Sequence, residues 1–206
     1  MKIIGITGCI ASGKSTVAKI FTDYGAKTIS ADLIATNIVQ PKKKVWKEIV
    51  KEFGNGILNS DQTINREKLG SVVFSDSRAL KKLNRITHPL IVETIHKEIA
   101  QSRKNKETLV VVDAALLGEF EKKKPFVDIL IVVKANIKTR RQRLILRNKL
   151  SIKEANQRIS AQKDLLDSLK RVDYVIDGSA SLKKTKEEVF AIIREILPDD
   201  QRPVVP

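Results

Sequence analysis

The segment Gly8-Cys9-Ile10-Ala11-Ser12-Gly13-Lys14-Ser15 fits G-x-x-x-x-G-K-[ST], the spacing of a phosphate-binding loop. Its glycines let the backbone wrap round a phosphate with N–H groups turned inward, and a helix opening behind the loop adds the positive end of its dipole. Gly8, Ala11, Ser12 and Gly13 would form the cradle. Lys14 would neutralise the β- and γ-phosphates, Ser15 would bind Mg²⁺ through its hydroxyl, and the Thr16 N–H would reach the α-phosphate. The plainer reading is a glycine turn ahead of a helix, against which stand a strand before the loop and a helix after it. A second reactive group, Asp32, lies in Ser30-Ala31-Asp32-Leu33-Ile34-Ala35. It could take a proton from an acceptor hydroxyl, or simply charge the first turn of a helix continuing through Leu33, Ile34, Ile38 and Val39.

The elements that must position these residues are legible as short β-branched runs at Lys2 to Ile6, Ala26 to Ser30, Thr108 to Val112, Val127 to Val133 and Tyr174 to Ile176. Segments of helical period lie between or after them, such as Val17, Ile20 and Phe21, or Val189, Ile192, Ile193 and Ile196. Strands buried on both faces and alternating with helices predict an α/β fold with a parallel sheet of the P-loop NTPase type. In such a sheet the carboxyl ends of the strands open into one crevice, which places Asp32 toward the phosphate loop. The stretch between Ser30 and Thr108 is too long for one crossover helix and predicts a helical insertion. From Lys134 to Lys149 the chain carries Lys134, Lys138, Arg140, Arg141, Arg143, Arg147 and Lys149 with no acidic residue. Ser151-Ile152-Lys153-Glu154 then reads as a capping box opening another helix, so a basic helical hairpin is expected. Asp199 to Pro206 reads as a frayed tail.

The whole chain has 206 residues, with 39 Lys+Arg against 24 Asp+Glu, a net charge of +15 that suits an anionic partner. One cysteine and two histidines exclude a disulfide framework and a cysteine cluster for zinc. The longest apolar runs, such as Ile129 to Val133, are far short of a membrane span, and no signal-peptide pattern opens the chain, so a soluble cytoplasmic protein is expected. Aromatic residues are only 4% and unclustered, which makes nucleic acid the weaker choice of anion. No N-K-x-D guanine signature is present. A flap rich in arginine is what phosphoryl transfer to a small acceptor needs, both to spread charge and to exclude water. The reading is therefore a small-molecule kinase. A nucleoside or nucleoside-monophosphate kinase and a nucleic-acid-binding P-loop protein are the rivals, the latter suggested by Lys42 to Lys44 and Lys122 to Lys124.

Beyond the loop, the chain carries Ile4-Gly5-Ile6-Thr7-Gly8, Ala31-Asp32, Phe53-Gly54 with Ile57-Leu58, Ile64-Asn65-Arg66-Glu67-Lys68-Leu69 and Val73-Phe74. Leu83-Asn84-Arg85-Ile86-Thr87-His88-Pro89-Leu90-Ile91, Leu116-Leu117 with Glu119, and Arg143 with Arg147 follow. In these segments, in this order and spacing, the chain resembles the dephospho-coenzyme A kinase family almost end to end. The resemblance implies transfer of a phosphoryl group from ATP, with Mg²⁺, to the ribose 3′-hydroxyl of dephospho-coenzyme A. In that comparison Asp32 matches the base, Lys14 and Arg143 the groups on the transferring phosphoryl, Arg143 and Arg147 the lid arginines on ATP, and Arg66 and His88 the acceptor side. His88 could instead cap a helix that Pro89 opens. Asp113 could orient water on Mg²⁺ or only end its strand, Glu119 is a weaker candidate, and Arg140 and Arg141 read as a solvated basic face.

The implied division is a nucleotide-binding core of residues 1–31, 101–137 and 171–206, a helical acceptor insertion of residues 32–100, and a lid of residues 138–170. The oligomeric state stays open, a monomer included. Several positions depart from the family pattern. Cys9 and Ala11 stand in a loop where glycines are usual, both small enough to tolerate a phosphate nearby unless their φ must be positive, so binding should survive. Ser30-Ala31-Asp32 keeps only the second acid of Asp-Ala-Asp, and Ala115-Leu116-Leu117-Gly118-Glu119 replaces Pro-Leu-Leu-Phe-Glu. Gly178-Ser179-Ala180 replaces an Asn-x-Gly whose contacts are to adenine.

Overall fold

The computed structural model describes residues 1–115, 117, 126–160, 162, 169 and 171–201. Leu116, Gly118, Glu119, the lysine run 122–124 and part of the 138–170 range therefore lie at least partly outside the described residues. The chain forms two compact units, one of Met1–Ser30 with Ile99–Pro206 and one of Ala31–Glu98.

In the first unit, five strands pair in the order β2-β3-β1-β4-β5, every pairing parallel. They are β1 (Lys2–Thr7), β2 (Lys27–Ser30), β3 (Leu109–Asp113), β4 (Ile129–Lys134) and β5 (Tyr174–Asp177). Their interiors are nearly continuous apolar runs because both faces are covered: Ile4, Ile6, Val111, Ile131, Val133 and Ile176 on one side, and Ile3, Val110, Val112, Leu130 and Val132 also buried. Helix α1 (Lys14–Asp23) packs on the first set through Val17, Ile20 and Phe21. Each such side chain contributes about 1.5–3 kcal/mol when fully buried.

At the amino edge of the sheet, carboxylates take up the strand donors. Asp128 Oδ2 accepts from the Ile3 N–H at 2.8 Å, and Asp173 Oδ2 accepts from the Leu130 N–H at 2.7 Å. Arg171 ties the two together through the Asp128 carbonyl and the Asp173 carboxylate. The opposite, carboxyl edge is left for the phosphate loop, and there Asp113 is in register with both Ile6 and Ser30.

The second unit begins with α2 (Ala31–Ile38) and α3 (Lys44–Phe53), the latter burying Val45 and Ile49. A short turn at Asn55–Ile57 and a bridge between Leu58 and Ile64 lead to α4 (Arg66–Ser75). Asn65 caps α4 by accepting from the Glu67 and Lys68 N–H groups at 3.0 Å. Helix α5 (Ser77–Lys104) follows, with Pro89 in its interior.

That interior proline corrects the expectation that Pro89 opens a helix capped by His88. Pro89 has no N–H for the carbonyl one turn back, on Arg85, a loss worth about 3 kcal/mol in a helix interior. Arg85 is exposed, so water can take that carbonyl's bond. Buried Ile91, Ile95 and Ile99 farther along supply the apolar stripe that keeps the helix continuous. His96 is half-buried on this helix.

After β4 the chain turns into α6 (Ile137–Asn148) and α7 (Ile152–Ser160), which pack on each other through Leu144, Ala155 and Ile159. The Glu154 carboxylate accepts from the Ser151 N–H at 2.8 Å and hydroxyl at 2.6 Å, as the capping box predicts. Helix α8 (Leu182–Ile196), capped by Ser181, returns onto the sheet through Val189, Ile192 and Ile193. A short turn at Asp199–Gln201 closes the described chain, and the rest of the Asp199 to Pro206 tail lies outside the described residues.

Candidate active site

β1 runs straight into the phosphate loop. Gly13 caps α1 with φ 105°, a left-handed conformation in which a side chain would be strained. The loop is tightened by a Ser12 N–H to Cys9 carbonyl bond of 3.1 Å, and the Thr16 and Val17 N–H groups turn back to the Gly13 carbonyl. Lys14 Nζ lies 3.0 Å from the Gly8 carbonyl oxygen. Ser15 and Thr16 are exposed in the first turn of α1. Ser12 is buried, and its hydroxyl has no partner among the described residues.

The two departures inside the loop behave differently. Cys9 is buried, with its Sγ 3.8 Å from the Gln162 carbonyl oxygen, and fills space. Ala11 has φ 59°, the case in which alanine is not a neutral replacement for glycine.

Arg143 on α6 reaches across the loop. Its Nη1 donates to the Ala11 and Ser12 carbonyls at 3.2 Å each, and its Nη2 to the Gly178 carbonyl at 2.7 Å. Gly13, Thr16, Val17, Arg143, Gly178, Ala180, Leu182 and Thr185 line an open cleft beside the start of α1. The loop after β5 that forms one wall is held by the Gly178 N–H on the Lys134 carbonyl at 2.7 Å, the Ser179 N–H on the Asp177 carboxylate at 2.8 Å and the Asn136 N–H on the Ser179 hydroxyl at 2.9 Å. Gly178 admits no side chain, since a Cβ there would stand 1.9 Å from the Ser12 carbonyl oxygen.

Arg147, one turn beyond Arg143, is exposed, and its Nε donates to Asn148 Oδ1 at 3.2 Å. Arg141 Nε donates to Asn156 Oδ1 at 2.7 Å, so it braces the hairpin. Arg140 is not on a solvated face: it is 8% exposed and donates from Nε to the Ile10 carbonyl at 3.0 Å. Residue pattern alone missed it, along with Gln162, whose Oε1 accepts from the Ile10 N–H at 2.6 Å.

In the second unit Asp32 is exposed in the first turn of α2. Arg66, at the start of α4, donates from Nη2 to the Thr36 hydroxyl at 2.7 Å, and that hydroxyl donates to the Asp32 carbonyl at 2.9 Å. Arg66 and Asp32 are thus tied through Thr36. His88 is half-buried midway along α5. Asp113 is the last residue of β3. Among the described residues no cluster of three or more His, Cys, Asp or Glu forms a metal cage. No helix among them is long and apolar enough to cross a membrane.

The family model for dephospho-CoA kinase matches residues 2–184. This chain belongs to the dephospho-CoA kinase family. Family members from Syntrophotalea carbinolica, 39% identical over 98% of this chain and 96% of its own length, and Lactobacillus johnsonii, 40% identical over 94% and 97%, are among its curated relatives. The solved dephospho-CoA kinase from Campylobacter jejuni superposes with a TM-score of 0.67 at 30% identity, covering 95% of this chain and 98% of its own. A shikimate kinase from Bacteroides thetaiotaomicron, 15% identical with a TM-score of 0.52, shares the fold. The sheet is that of the P-loop kinases, and the protein is a kinase. Neither the nucleoside-kinase nor the nucleic-acid-binding reading is favoured by these dephospho-CoA kinase matches.

Proposed function

We propose that the protein transfers the γ-phosphoryl of ATP to the ribose 3′-hydroxyl of dephospho-coenzyme A, giving coenzyme A and ADP. The observation that carries this reading is the match to dephospho-CoA kinases over nearly the whole chain, with the phosphate loop intact. Residues 1–31, 101–137 and 171–206 serve as the nucleotide-binding core, 32–100 as the acceptor insertion and 138–170 as the lid.

In this reading the loop from Gly8 to Gly13, with Ala11 and Ser12, cradles the phosphates through backbone N–H groups, and the Thr16 N–H leaves the Gly13 carbonyl for the α-phosphate. The cleft between Thr16, Gly178 and Leu182 takes the adenosine portion, in place of the contacts an Asn-x-Gly would make. Lys14 leaves the Gly8 carbonyl for the β- and γ-oxygens. Arg143 exchanges its neutral carbonyl partners for phosphate oxygens, a stronger, charge-assisted bond, and Arg147 closes on the same nucleotide.

Asp32 accepts the 3′-hydroxyl proton as the oxygen bonds to the γ-phosphorus. The bond from that phosphorus to the β,γ-bridging oxygen breaks, and ADP carries the electron pair away. Arg66 and His88 hold the acceptor, with Arg66 matching a diphosphate bidentately.

Mg²⁺ prefers hard oxygen ligands and keeps several from phosphate and water, so a site needs few protein donors. The donors present fit: the exposed Ser15 hydroxyl sits in the first turn behind the loop, and Asp113 ends the neighbouring strand. When bound, the ion neutralises charge on the β- and γ-oxygens; Ser15 would hold it directly, and Asp113 would orient its water. The net charge of +15 then serves two polyanionic substrates, without a nucleic acid or membrane partner, in the cytoplasm.

An acceptor panel coupled to ADP release tests the proposal. Turnover with dephospho-coenzyme A well above that with nucleosides and nucleoside monophosphates is expected. Folded protein that turns over a nucleoside acceptor instead would overturn it.

A further inference from the structure

The crown of the phosphate loop is held from outside by the basic hairpin and the residue that follows it. Arg140 Nε donates to the Ile10 carbonyl at 3.0 Å, while Gln162 Oε1 accepts from the Ile10 N–H at 2.6 Å. Ile10 and Ala11 pack against the hairpin core of Leu144, Ala155 and Ile159. Arg140 is 8% exposed, its Nη2 has no partner, and no carboxylate pairs with it among the described residues. Burying a guanidinium is costly, so its placement requires compensating contacts. Among the described residues, its side chain makes that contact to a loop carbonyl.

That carbonyl belongs to the peptide between Ile10 and Ala11. Rotating this peptide by half a turn would exchange the directions of the Ile10 C=O and the Ala11 N–H. It would also release Ala11 from φ 59°, where its Cβ crowds the backbone. A glycine at this position would gain nothing from such a flip; an alanine does. The flipped loop would offer the phosphate a carbonyl oxygen where it needs a donor.

We propose that Arg140 is a positioning residue for triphosphate binding: by holding the Ile10 carbonyl outward, it keeps the Ala11 N–H turned into the phosphate cradle against the strain that alanine introduces. The inference rests on the reading of residues 8–15 as the triphosphate site. Arg140 is not a catalytic residue, since it acts through the Ile10–Ala11 peptide.

Calorimetric titration with MgATP, alongside thermal melts, tests it on the full-length protein and on Arg140→Gln, Arg140→Lys, Ala11→Gly and the paired variants. Arg140→Gln is expected to weaken MgATP binding about tenfold, leaving the KM for dephospho-coenzyme A near its original value. Arg140→Lys, which keeps a charged donor, should recover part of that loss. In the Ala11→Gly background the loss should shrink by about fivefold, because the strain that drives the flip is gone. If Arg140→Gln melts below the assay temperature, the same comparison with Arg140→Lys decides. Folded Arg140 variants that bind MgATP like the parent, or that lose the same factor in both backgrounds, overturn the inference alone. A parent protein that binds no MgATP overturns the triphosphate site itself, and the inference with it.

Discussion

The Arg66 guanidinium donates to the Thr36 hydroxyl at 2.7 Å, one helical turn along α2 from Asp32, and Thr36 passes the contact on to the Asp32 carbonyl. The arginine proposed for the acceptor is thereby fixed to the helix that carries the proposed base. Thr36→Val keeps the side-chain shape and removes the hydroxyl. It should raise the KM for dephospho-coenzyme A about fivefold, the worth of one ordinary hydrogen bond, with the KM for ATP unchanged. Initial-rate kinetics with each substrate varied in turn gives both values.

Asp32→Asn removes the proton acceptor while preserving size and the start of α2. The expected loss is about 10²–10⁴ in kcat, the range for a positioned general base, with MgATP affinity close to the parent's. Single-turnover rates set against calorimetric binding separate the two, and equal turnover in the variant would remove Asp32 from the catalytic role.

Gly178 marks where the loop after β5 meets the phosphate loop. In Gly178→Ala the new methyl would lie 1.9 Å from the Ser12 carbonyl oxygen, so one of the two backbones must shift. A destabilisation of about 1–3 kcal/mol is expected, as for other overpacked sites, together with weaker MgATP binding because Arg143 loses its alignment on Gly178. Denaturant melts and calorimetry measure the two effects.

The phosphate loop and the parallel strands were legible in the sequence because both are local signals: a fixed glycine spacing, and short β-branched runs bounded by turns. The capping box at Ser151 and Glu154 was legible for the same reason. The reading of Pro89 as a helix start failed because the cost of an interior proline is set against apolar burial farther along α5, at Ile95 and Ile99, which no local rule weighs. Arg140 was read as solvated because a run of like charges has no inside or outside in one dimension. Its spacing of four from Leu144 was the available sign that it shares the buried stripe of α6. Gln162 carries no such sign, since its contact is to a loop 152 residues earlier. Whether alanine fits at position 11 depends on its φ, which only the backbone supplies.

Hydrogen bonds from Ser151, chiefly its hydroxyl and then its backbone N–H, hold the Glu154 carboxyl below the ordinary glutamate range. A depressed folded-state value stabilises the hairpin above the unfolded-state value of about 4.3 and is lost as pH falls through the lower folded-state value. Glu154→Gln keeps the capping geometry without the charge. Its melting temperature should therefore lie below the parent's at neutral pH, and the two should converge on acidification past about pH 4. A gap that persists or widens in acid would contradict this.

The most direct measurement is phosphorus NMR of the product formed from ATP and dephospho-coenzyme A by the purified protein with Mg²⁺. The account predicts a new phosphomonoester on the ribose 3′-oxygen appearing in step with ADP. ADP accumulating without that phosphomonoester, or a phosphate carried on a different hydroxyl, would contradict it.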